Sequence, residues 1–205
     1  MIAIVDYGMG NLGSVQNMLR KLGAESIRTS DPSEIAQADR LVLAGIGGFD
    51  GAMQRLDDAG LVPILNERVI EKQVPILGVC LGMQVMAQSS TEGTRPGLGW
   101  FDAEVLRFDF AEDPLPVPHM GWEVVVPTRP SPLFDPADPE PRFYFSHAYH
   151  LVCNDPADVA ATTTYGYEFA AAVHRGNILG TQFHPEKSHV FGLDVYRRFL
   201  EHSTG

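Results

Sequence analysis

Two short segments carry side chains suited to covalent chemistry. The first is Gly78-Val79-Cys80-Leu81-Gly82, a thiol between two glycines at the end of the apolar run that starts at Val74. A cysteine on a sharp strand-to-helix turn stands clear of its sheet, and flanking glycines let neighbouring backbone come close without a Cβ in the way. A helix starting just beyond it has amides without intrahelical acceptors, which favours a thiolate and an oxyanion. The second segment is Gln182-Phe183-His184-Pro185-Glu186, after the apolar stretch 178–181. His184 offers a base for the thiol, and Glu186 a carboxylate to orient that base. Pro185 restricts its own backbone and that of His184. Singly, a buried structural cysteine and a surface His-Pro-Glu turn account for the same residues. In the order Cys80, His184, Glu186 they read as a nucleophilic triad.

The elements that must position this set follow from the apolar pattern. Continuous apolar runs predict buried strands at 2–6, 40–44 and 74–79, with a further strand near 26–29. Apolar residues at helical spacing predict helices at 12–22, 50–57, 61–72 and about 81–89. Strand–helix alternation of this kind marks a mostly parallel sheet covered by helices on both faces. The second half differs: short β-rich segments at 100–108, 122–126, 142–146, 158–164, 169–174 and 178–183 predict an additional antiparallel region. A last helix is expected over 189–202. Residues 127–141 hold six prolines and are expected to form a loop, since proline gives no donor to a ladder. The expectation is one α/β domain over residues 1–205.

Composition narrows the class. The chain has 205 residues, with 15 Lys+Arg against 26 Asp+Glu, a net charge of −11. That balance disfavours nucleic acid and anionic membrane as partners. Two cysteines, Cys80 and Cys153, are too few for a disulfide scaffold. No apolar run reaches the ~20 residues of a membrane span. The N-terminus has no basic segment of the secretory type, so the cytoplasm is the expected location. The seven histidines form no metal-ligand pattern beyond a weak His147…His150 pair, and neither a metal nor a cofactor is implied.

The motifs together resemble the class I (triad) glutamine amidotransferases, and within them the glutaminase subunits of imidazole glycerol phosphate synthases. The resemblance rests on Cys80-Leu81-Gly82-Met83-Gln84 and His184-Pro185-Glu186-Lys187-Ser188. It extends through Asp6-Tyr7-Gly8-Met9-Gly10-Asn11-Leu12, Pro118-His119-Met120-Gly121-Trp122, Phe143-Tyr144-Phe145 with His147, and Tyr165-Gly166 with Glu168-Phe169, over residues 2–200. It implies that Cys80 attacks L-glutamine, His184 moves the proton and Glu186 orients His184. It places substrate contacts at Gln84, Glu92, Ser146, His147 and Ala148. Oxyanion donors would come from Leu81 and the Gly45-Ile46-Gly47 turn. The implied partner is a (β/α)8-barrel cyclase that receives the ammonia, met through Asn11, Met120, Trp122, Glu123 and Lys187. Two positions depart from the family pattern. Ala44 stands where a proline precedes the oxyanion turn, and Glu123 where an asparagine follows Pro-His-Met-Gly-Trp. Glu123, with mismatches at Ser146, Ala148 and His150, keeps open a paralogous glutaminase serving another synthase, such as one that amidates sugars.

Three other readings compete. Gly8-Met9-Gly10-Asn11-Leu12-Gly13 after a first strand, with Asp31 about twenty residues on, is formally a dinucleotide-binding fingerprint. It would make the chain an oxidoreductase but leaves both active-site segments unexplained. A partnerless cysteine peptidase or amidase, and a catalytically silent binding subunit, are the others.

Overall fold

The computed structural model describes residues 1–110, 114–135 and 140–202. The first half alternates as the apolar pattern predicts. It comprises β1 (Ile2–Val5), α1 (Leu12–Lys21), β2 (Ser26–Thr29), α2 (Pro32–Gln37), β3 (Arg40–Gly45), α3 (Phe49–Asp58), α4 (Leu61–Asn66, running on as a π-turn through Glu71) and β4 (Ile76–Cys80). The second half comprises α5 (Leu81–Gln84), β5 (Ser89–Ser90), β6 (Ala103–Arg107), β7 (His119–Val124), β8 (Val126–Pro127), β9 (Arg142–His147), β10 (Tyr149–Cys153), β11 (Val159–Tyr165), β12 (Tyr167–Arg175), β13 (Ile178–Thr181) and α6 (His189–Glu201).

Eight strands make one sheet in the order β2-β1-β3-β4-β13-β12-β11-β8. From β2 to β13 the neighbours are parallel; β12, β11 and β8 add on antiparallel. Alternate residues of the parallel strands point to opposite faces. Ala3, Val5, Leu41, Leu43 and Ile76 pack with α2, α3, α4 and α5, whereas Ile2, Ile4, Val42, Ala44, Leu77 and Val79 pack with α1 and α6. Burial on both faces is why these strands are continuously apolar. β10-β6-β5 and the β7–β9 ribbon form separate small sheets. With β3 and β13 on either side of β4, Cys80 comes level with Gly45, at the carboxyl ends of the parallel strands where open α/β sheets place their sites.

The sequence expectation needs correction in three places. The helix expected over 81–89 ends at Gln84, because the carbonyls that would continue it are taken by a later loop. Leu98 N donates to Val85 O at 2.7 Å, Trp100 N to Met86 O at 2.8 Å and Gly99 N to Ala87 O at 3.0 Å. The proline-rich stretch 127–141 begins inside a strand, since Pro127 closes β8 at the sheet edge, where a missing donor costs nothing; its residues 136–139 lie outside the described residues. The helix α2 is an addition. Asp31 caps it by accepting from Ser33 N at 2.8 Å, with Pro32 in the first turn. That use of its carboxylate is local and structural, and it accounts for Asp31 without a dinucleotide.

Candidate active site

Cys80 ends a strand whose five residues are all buried, and its backbone sits at φ 54°, ψ −110°. A non-glycine residue there is strained, and it is held by the parallel pairing of β4 on both sides. The turn can close only because residue 82 is glycine: a Cβ there would lie 1.7 Å from Leu43 O. Leu81 follows as the first residue of α5, and its amide is one of those with no intrahelical acceptor.

His184 is brought to Cys80 by the chain leaving β13. Its amide donates to Tyr144 O at 2.9 Å, and Ser188 Oγ donates to its carbonyl at 2.7 Å while accepting from Tyr144 N at 3.0 Å. The side chain is 3 % exposed. Nδ1 lies 2.8 Å from Glu186 Oε1, so Nε2 is the nitrogen turned to the sulfur. Burial pulls the ring's pKa down, but hydrogen bonds to Cys80 and Glu186 and the charges of both carry it from 6.5 up to about 9. His184 therefore holds a proton at neutral pH, next to both groups.

Beside the sulfur lies a cavity of about 200 Å³. Its lining includes Ile46, Gly47, Cys80, Leu81, Gln84, Glu92, Ser146, His147 and Ala148. Residues from position 46 to position 149 thus meet at one wall. Glu92 Oε2 accepts from Phe49 N at 2.8 Å, standing in for the side-chain cap that Gly48 cannot supply to α3. Gln84 Nε2 donates to Tyr149 O at 2.9 Å and to Gln182 Oε1 at 3.0 Å, and Gln182 Nε2 lies 3.6 Å from Cys80 Sγ. His147 is buried and its pKa is pushed down to about 3, mainly by desolvation, so it is neutral at working pH. Gly45 is outside this cavity. It lines a second, small one with Gly10, Asn11, His184 and Glu186.

The residues expected to meet a partner lie at the surface. Met120, Trp122 and Val190 are large apolar side chains left exposed. Trp122 stacks on His189 with ring centroids 5.5 Å apart and meets Tyr144 edge-on at 6.1 Å; Lys187 Nζ lies 5.5 Å from the centre of the Tyr144 ring. Asn11 caps α1, accepting from Ser14 N, and is exposed. Glu123 is half-buried and faces His119 Nε2 at 3.3 Å.

Sequence reasoning gave no role to Gln182, Tyr149, His119 or the Tyr7 side chain. Tyr7 Oη is buried with no hydrogen-bond partner among the described residues, beneath the Gly45-Ile46-Gly47 turn; a Cβ on Gly45 would lie 2.0 Å from it. Burial and the charge of Cys80 push its pKa well up, so it stays a neutral phenol. The only signal for Gln182 was a polar residue two before His184 in an apolar stretch. Among the described residues, no group of three or more His, Cys, Asp or Glu is arranged to hold a metal ion. No helix among them is long and apolar enough to cross a membrane.

A strained cysteine on a strand-to-helix elbow, backed by a histidine and a carboxylate, is an arrangement suited to thiol-dependent amide cleavage. Residues 3–202 match the family described as glutamine amidotransferase class-I, and the chain belongs to that family. It is 46 % identical over 201 residues to imidazole glycerol phosphate synthase subunit HisH 2 of Pseudomonas aeruginosa, covering 98 % of this chain and 99 % of that one. It is 44 % identical over 201 residues to the subunit of the same name from Methanococcus maripaludis, with the same coverage. Among solved structures, a crystal structure of a glutamine amidotransferase superposes with a TM-score of 0.77 at 20 % identity, covering 98 % of this chain and 97 % of that one. PurLQS from Thermotoga maritima superposes at 0.71 and 17 % identity, with the same coverage; both show the shared fold.

Proposed function

We infer that this chain is the glutaminase subunit of an imidazole glycerol phosphate synthase, releasing ammonia from L-glutamine for a partner cyclase in histidine biosynthesis. The observation that carries the chemistry is the strained Cys80 beside a protonated His184 that is anchored by Glu186. The subunit assignment is supported by near-full-length relatives of that name in a bacterium and an archaeon.

The geometry supports the following sequence of steps. Glutamine enters the 200 Å³ cavity with its carboxamide at Cys80. The Glu92 oxygen not used by Phe49 receives the substrate ammonium, and Gln84 and the 146–148 edge meet its backbone. The sulfur attacks the amide carbon, and the oxyanion is received by Leu81 N–H and the Gly45-Ile46-Gly47 turn. Protonated His184 gives its Nε2 proton to the nitrogen, the C–N bond breaks and ammonia leaves. His184, now neutral, takes a proton from the water that attacks the thioester, and glutamate departs as the thiolate re-forms. Throughout, Nδ1–H stays on Glu186, which keeps Nε2 toward the chemistry.

The partner surface is the patch around Met120, Trp122 and Lys187, with Asn11 and Glu123 on its margin. Exposed aromatic and methionine side chains of this kind suit a buried anchor role. The partner's form is proposed as a (β/α)8-barrel. Glutamine turnover is the test, with the chain alone and with a cyclase plus its nucleotide substrate. Activation by orders of magnitude is expected. A turnover unmoved by the cyclase but raised by a sugar-amidating synthase overturns the choice of partner.

A further inference from the structure

Three side chains link the surface to the wall of the glutamine cavity. His147 Nδ1 lies 2.7 Å from Tyr149 O, His147 Nε2 lies 3.3 Å from His119 Nδ1, and His119 Nε2 lies 3.3 Å from Glu123 Oε1. His119 and His147 sit directly opposite each other on the β7–β9 ribbon. The His119 side chain is 1 % exposed and that of Glu123 is 34 % exposed. Tyr149 O also accepts from Gln84, which reaches Cys80 through Gln182. A disturbance at His147 therefore reaches the cavity wall.

The donors do not balance in a neutral chain. A carbonyl only accepts, so His147 carries its hydrogen on Nδ1 and turns a lone pair on Nε2 toward His119. His119 must then donate from Nδ1. A neutral imidazole has one N–H, so its Nε2 lone pair would confront the Glu123 carboxylate. The other tautomer serves Glu123 and leaves two ring lone pairs facing each other. Imidazolium at His119 satisfies both ends. With Glu123 as an amide, neutral His119 would satisfy both ends too.

We propose that His119 is a positioning residue for glutamine binding, holding His147 through a hydrogen-bond chain that closes only when His119 and Glu123 together hold one more proton. The other groups facing His119 are Tyr165 on β11, stacked at 4.0 Å, and the aromatic rings of Phe108, Phe145 and Phe169. Among the described residues, Glu123 is the charged group acting on it. His147 is neighboured further by His150 and His184, whose influence disfavours a second charge there. Burial lowers the His119 pKa below its ordinary value, against the hydrogen bond and charge of Glu123. The chain thus closes on the acid side of neutrality and opens as pH rises.

The inference rests on reading this cavity as the glutamine site, and two measurements keep the two apart. Imidazole nitrogen NMR of the full chain from about pH 5 to 8, without ligand, reads the His119 state directly. The wild type is expected to pass from imidazolium to neutral, while Glu123→Gln holds a neutral Nδ1–H ring over the range. The same midpoint and tautomer in both proteins would overturn the chain. In a Cys80→Ala background, glutamine Kd is expected to rise about three- to tenfold from pH 5.5 to 8, the worth of one hydrogen bond, and to stay flat when Glu123→Gln is added. Identical pH dependence in both overturns the positioning role. Absence of glutamine binding at any pH overturns the cavity reading and, with it, the inference.

Discussion

Replacing Glu186 by Gln tests the active-site argument most sharply, because it keeps shape and removes charge. The carboxylate lies 2.8 Å from His184 Nδ1 in a buried site, and His184 is raised from 6.5 to about 9. At 1.36 kcal/mol per tenfold, that rise is about 3 kcal/mol in favour of imidazolium, shared between Glu186 and Cys80 against burial. Removing roughly half leaves the imidazolium 1–2 kcal/mol weaker, or about a tenfold loss in the reactive pair. An amide that turns its NH₂ to Nδ1 also forces the hydrogen onto Nε2, the wrong tautomer for accepting a proton, which extends the loss toward 10³. The assay is steady-state glutaminase activity against pH. Imidazolium is present below the folded-state value and lost as pH rises through about 9, so the wild-type alkaline limb falls there and the variant's limb falls at lower pH. The stability that His184 contributes is likewise complete below about 6.5 and lost as pH rises through about 9. A variant within threefold of wild-type kcat/KM, with an unmoved alkaline limb, would show that the Glu186 carboxylate does not hold the His184 imidazolium.

Three further outcomes are expected. A glutamine-like chloroketone should alkylate Cys80 and spare Cys153, whose thiol burial and the nearby Asp158 push up to about 12; peptide mapping decides it, and labelling of Cys153 alone would refute the nucleophile. His147, held neutral in the fold with a value near 3, contributes stability that is complete above about 6.5 and lost as pH falls toward 3. Urea melts at pH 4 and 7 should therefore differ by several kcal/mol, and His147→Asn should shrink that difference. Ala44 lies in β3 opposite Val79, just before the Gly45-Ile46-Gly47 turn proposed to receive the oxyanion. Ala44→Pro should hold that turn more firmly and lower partner-free glutamine turnover, and equal basal rates would refute it.

Much of the fold was legible because its cause is local. Apolar runs at β1, β3 and β4 are buried on both faces of the sheet, and a run buried on both faces needs no tertiary information to be recognised. The end of α5 was not legible: whether Val85–Ala87 go on as a helix depends on amides of residues 98–100, which sequence spacing does not reveal. Asp31 was ambiguous for the same reason, since an acid at that distance from a glycine-rich turn fits both a helix cap and a nucleotide fingerprint.

At the candidate site, turn chemistry and spacing already mark a thiol on an elbow, then a histidine, then a carboxylate two residues on. Those features are local, because turn chemistry and neighbour spacing carry them. Which polar groups surround them depends on how distant segments come together. Gln182 reaches the sulfur, Tyr149 O anchors both Gln84 and His147, and His119 meets Glu123 along β7 and His147 across the β7–β9 ribbon. Such contacts depend on strand order and register, which set which donors meet which acceptors. In a buried site that count of donors and acceptors, rather than residue type, determines where the protons sit.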